Sequence, residues 1–150
     1  MRPVYLHDWA QSQYFGMVAD FCGAYMTEAD YESKSAPHCH EEYWLEEKEK
    51  MRAALADEKF SAAEILLAAY QYEAYSGEAF VLFRRDGKLY EVNGRHCSCY
   101  GLEGQWEPEE TTLAALTHRA QKGDLGGSEY GMKFSDELAL VLAELAKAAP

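Results

Sequence analysis

Apolar and polar positions fall into blocks along this chain, and the sharpest block lies at its middle. Ala79-Phe-Val-Leu-Phe83 is a continuous apolar run, Asp86-Gly87 is a turn pair, and Lys88-Leu-Tyr-Glu-Val92 follows. Two short runs joined by Asp-Gly predict an antiparallel hairpin over 79–92. Asn93-Gly94 predicts a second turn directly after it. Upstream, Ser61-Ala-Ala-Glu64 has the form of a capping box, in which the serine hydroxyl and the glutamate carboxylate each accept a backbone N–H. Ala62, Ile65, Leu66, Ala69 and Tyr72 continue at three-to-four spacing, so the pattern predicts a helix over 61–75 that Ser76-Gly77 stops.

Three further helices are legible. Glu41 to Ala56 is dense in helix formers, with Glu46 and Lys50 spaced for an i,i+4 pair and Trp44, Met51 and Leu55 as a narrow apolar line. Trp106-Glu-Pro-Glu-Glu places Pro108 and acidic side chains where a helix's first turn favours them; Leu113, Leu116 and Ala120 continue one face, and Gly123 ends it. Ser135-Asp136 caps a last helix striped by Leu138, Val141, Leu142 and Leu145. Residues 1–40 mix aromatic, glycine and small polar positions without a clean period, which predicts a short strand plus irregular or short helical pieces. Helices flank one hairpin instead of alternating with strands, so the expected class is α+β: a small antiparallel sheet centred on the hairpin, packed by about four helices. The 61–75 and 135–148 helices have the cleanest stripes and are expected against it.

At 150 residues and 48% hydrophobic composition the chain suits one core, so a single domain over 1–150 is expected. No run of eighteen apolar residues is present, and Met1-Arg2-Pro3-Val4-Tyr5 lacks a secretory apolar segment; we expect a soluble protein of the cytoplasm. Cysteines 22, 39, 97 and 99 are then expected as free thiols or metal ligands.

Charge changes the picture more than size does. With 26 acidic against 14 basic side chains the formal charge is −12, which disfavours direct binding to nucleic acid and favours proteins with basic surfaces. Eleven tyrosines and three tryptophans supply contact area at low entropic cost. Tyr43 and Trp44 among Glu41, Glu42, Glu46, Glu47 and Glu49 form the best candidate contact patch, with core packing of Trp44 and plain solvation of the glutamates as the competing readings.

His38-Cys39-His40 and His96-Cys97-Ser98-Cys99 are the clusters that could carry chemistry. Zinc takes such donors, and a Cys-x-Cys after two strands resembles the SWIM zinc finger. That resemblance carries Cys97, Cys99 and His118 over as ligands, with Leu116 in place of the cysteine of the family's Cys-x-His pair and His96 or the 38–40 cluster as the source of a fourth. Thiols packed as small hydrophobes are the alternative, and no cofactor is the expectation. A Cys-His nucleophile pair would use the same residues, yet no orienting third group, nucleophile elbow, phosphate loop or dinucleotide fingerprint accompanies them, so a non-enzyme is expected.

Gly-Lys-Leu-Tyr-Glu-Val-Asn-Gly (87–94), His-Cys-Ser-Cys-Tyr-Gly-Leu-Glu-Gly-Gln-Trp (96–106) and Glu-Pro-Glu-Glu-Thr (107–111) resemble a segment that recurs in small bacteriophage and prophage proteins. The resemblance implies a phage accessory protein, a class that includes acidic antagonists of host defence such as anti-CRISPR proteins. It implies as partner a basic, nucleic-acid-handling host protein.

Overall fold

A computed structural model describes residues 1–37, 40–73, 75–127 and 131–148. In chain order the elements are β1 (Val4–His7), α1 (Trp9–Cys22), α2 (Glu28–Glu32), α3 (Glu41–Ala56), α4 (Glu58–Ser61), β2 (Glu64–Glu73), β3 (Ser76–Arg85), β4 (Lys88–Cys97), β5 (Glu109–Thr111), α5 (Leu113–Lys122) and α6 (Ser135–Ala148). The class is α+β, with an open five-stranded sheet in the order β1-β2-β3-β4-β5. β1 pairs parallel to β2, and every other neighbour is antiparallel. The expected hairpin is present and β3 is the middle strand. Its turn has φ of 52° at Asp86 and 77° at Gly87, the left-handed pair that a two-residue hairpin requires.

Both faces of the sheet are covered. On one lie Trp9, Met17, Val18 and Phe21 of α1, Met51 of α3 and Phe60 of α4, packed on Ala68, Val81, Phe83 and Val92. On the other, Leu116 of α5 and Leu138, Val141, Leu142 and Leu145 of α6 pack on Leu66, Leu67, Phe80 and Leu82. Leu66 and Leu142 are therefore core, as the stripes predict.

This two-sided burial overturns the helix predicted over 61–75. Residues 64–73 are strand β2, and its six consecutive buried positions, Ile65 to Tyr70, are shared between the two layers, with a register shift between Ile65 and Leu67 that puts Leu66 and Leu67 on the same side. A strand covered on both sides has no polar face, so its sequence can imitate a helical stripe. The predicted capping box does not form: Asp57 caps α4 by accepting from the Lys59 N–H, and Ser61 ends that helix. Ser76-Gly77 opens β3 instead of closing a helix, and β4 runs through Asn93-Gly94 to Cys97 without the second turn.

Two boundaries also move. Glu109–Thr111, expected in a helix's first turn, is β5, and α5 starts after Thr112, whose hydroxyl accepts from the Ala115 N–H at 3.0 Å. Gly123 ends α5 as predicted, with φ of 81°. The N-terminal forty residues hold the expected short strand but also α1, a 14-residue element broken at Gln13, where φ is 53°. Opposite, α5 is tied to the sheet by a forked pair in which Arg119 donates to the buried Glu91 carboxylate at 2.6 and 3.1 Å.

Candidate protein-binding face

α3 occupies the predicted Glu41–Ala56 span and presents most of its predicted site residues outward. Glu41, Glu42, Tyr43 and Glu46 are exposed; Glu49 is exposed too, but Arg52 clamps it through two hydrogen bonds of 2.8 and 2.5 Å. That clamp holds the Glu49 carboxyl below its ordinary range. Among the described residues no basic side chain pairs with Glu41, Glu42 or Glu46. The Glu46–Lys50 pair suggested by spacing is not made: Lys50 turns to Glu47, at 3.1 Å.

Glu47 and Trp44 differ from their neighbours. Glu47 is 3% exposed, a buried carboxylate on the helix's inner line with Met51 and Ala54. Trp44 is half-buried, its indole N–H donates to the Asp30 carbonyl at 2.8 Å, and the Lys48 ammonium sits 4.7 Å from its ring centre. Trp44 is thus neither fully core nor fully exposed. Beside it, Tyr25 and Tyr43 are 71% and 52% exposed. Tyr25, Met26, Pro37, Tyr43, Trp44 and Glu47 share the lining of a pocket of about 240 Å³ between α2 and the first turns of α3. Tyr25, Met26 and Asp30 are the residues sequence reasoning missed. Their signal was weak, since only the chain reversal through α2 brings them to α3.

The His-Cys region lies at the far end of the sheet. His38 and Cys39 fall outside the described residues. Cys22, Cys97 and Cys99 are free thiols, and no group of three or more potential metal ligands occurs among the described residues. Leu116, at the SWIM cysteine position, is fully buried core, and His118 is exposed on α5. The Cys99 N–H donates to Cys97 Sγ at 3.3 Å, and this backbone donor draws the half-buried Cys97 thiol below its usual range.

His96 is held differently. Its ring stacks on Tyr72 at 4.0 Å between centres and shares a hydrogen bond through Nδ1 with the Tyr70 hydroxyl. Burial, with Asp20 and Asp8 nearby, pushes the Tyr70 phenol far up. It therefore stays protonated. Gly101 lets the chain pass the ring, where an added Cβ would sit 3.3 Å from Cε1. Around this core, Trp9 Nε1 donates to Asp20 at 2.6 Å and the Tyr72 N–H donates to Asp8 at 2.9 Å. The first joins the two ends of α1, the second ties the residue before α1 to β2, and the Tyr70–His96 bond joins β2 to β4. Neighbouring strand positions point to opposite faces, so His96 and Cys97 diverge, and no hydrogen bond joins them among the described residues. Both residues line an open polar groove of about 770 Å³ with Gln71, Glu78 and Arg95.

The chain matches no family model, no curated protein and no solved structure.

Proposed function

We propose that this chain is a phage-encoded accessory protein that acts without catalysis, as an acidic inhibitor docking on the basic, nucleic-acid-handling surface of a host defence protein. A CRISPR effector component has the required surface. The observation that supports this reading is α3, whose exposed carboxylates at Glu41, Glu42 and Glu46 have no basic partner among the described residues and whose exposed Tyr43 shares a pocket with the exposed Tyr25. Uncompensated charge accelerates encounter with a basic partner, and rigid aromatics supply buried area once docked.

The test uses a purified CRISPR effector nuclease, immobilised free of nucleic acid. Association should be fast at low salt and slow as salt rises, since exposed charges are screened over about 10 Å at 0.1 M. Reversing Glu41, Glu42 and Glu46 to Lys should slow association about tenfold or more while leaving the melting temperature near its original value, because exposed ion pairs contribute little stability. Unchanged association after the triple reversal, or no association with any basic nucleic-acid-handling protein, rejects the proposal.

A further inference from the structure

The pocket between α2 and α3 differs from the acidic surface around it. Its walls are the rings of Tyr25, Tyr43 and Trp44 with Met26, Asp30, Pro37 and His40, and of its two carboxylates Glu47 is the buried one. The Glu47 side chain is 4% exposed. Lys50 forms an ion pair with its Oε2 at 3.1 Å, but no donor meets hydrogen-bond geometry at this oxygen among the described residues. A carboxylate oxygen held away from water without a donor is costly, and a ligand that supplies one removes that cost. The volume, about 240 Å³, admits one extended side chain and excludes a helix.

Resting on the docking reading above, we infer that this pocket takes one arginine or lysine side chain of the basic partner. The aliphatic stem of such a side chain packs on Met26 and the aromatic faces, as long cationic side chains do on apolar surface. Its head reaches Glu47, giving the bare oxygen a charge-assisted donor, and lies against ring faces whose quadrupoles attract cations. This chain already shows that attraction: Lys48 places its ammonium 4.7 Å from the Trp44 ring centre. An acidic or neutral side chain offers Glu47 no equivalent donor. The partner is thus selected by one inserted cation as well as by the long-range field.

Titration of the isotope-labelled full chain with acetyl-arginine amide, acetyl-lysine amide and uncharged acetyl-norleucine amide tests this by amide and indole N–H chemical shifts. Arginine or lysine should move the resonances of Tyr25, Tyr43 and the Trp44 indole, and norleucine should not. Whichever of the two cations shifts them further is the preferred head group. Glu47→Gln, similar in shape but uncharged, should weaken these shifts about tenfold. Tyr25→Ala, at a position too exposed to threaten the fold, should also weaken them should the Gln variant fail to fold. Equal shifts with norleucine, or shifts that survive both substitutions, overturn the inference. Salt-dependent, α3-sensitive binding of the effector together with silent pocket resonances would reject the inserted cation and leave the docking face standing. Pocket shifts with no effector binding would do the reverse.

Discussion

Asp20 and Glu47 are both carboxylates that the fold takes out of water, and each has a consequence at the scale of a single residue. Burial raises the Asp20 carboxyl above its ordinary range, against the Trp9 hydrogen bond and the nearby His96, which favour the charged form. A folded-state value above the unfolded one means that the stabilising contribution is complete below the unfolded value and is lost as pH rises through the folded value. Asp20→Asn keeps an acceptor for the Trp9 indole and removes the titration. Its melting temperature should vary less with pH across that acid range than that of the parent, and superimposable pH curves would show that Asp20 does not titrate differently in the two states. The special place of Glu47 was readable in principle: it stands between Trp44 and Met51 at the three-to-four spacing of the buried line. By residue type alone it belongs with the solvated glutamates, and its position on the buried line decides otherwise. The neighbours Tyr25 and Met26 gave no such signal, since their contact with α3 depends on the intervening turn.

Among elements, the separation between legible and illegible follows how many faces are buried. α3 and α6 each have one buried stripe, and the sequence periodicity placed them correctly. The β3–β4 hairpin was equally clear from its Asp-Gly turn. β2 was misread because six successive buried residues leave no alternation to count, and alanines at 68 and 69 lent it helical character. The stripe of α6 gives a direct check on the layer it forms. Leu138 is fully buried against the sheet, so Leu138→Ala should cost about 2–5 kcal/mol in denaturant unfolding. Leu140, two positions on and 70% exposed, should change stability by less than about 0.5 kcal/mol on the same substitution. Similar costs at the two positions would place α6 elsewhere.

At the scale of the molecule, a formal charge of −12 on 150 residues makes the compact state repel itself. Salt relieves that repulsion while it screens attraction to a basic partner. Melting temperature should therefore rise with ionic strength over the same range in which association slows. A melting temperature that falls with salt would mean that the ion pairs outweigh the repulsion. The lengths of the outer strands carry a further meaning. β1 offers four residues and β5 three, and Glu109 and Glu110 of β5 are exposed. Long flat margins invite a neighbouring chain to extend the sheet by backbone pairing, whereas short or charged margins discourage it. Even crowded together, copies of this protein would have little strand margin on which to stack into fibres, and its helical flanks would be left to meet other proteins.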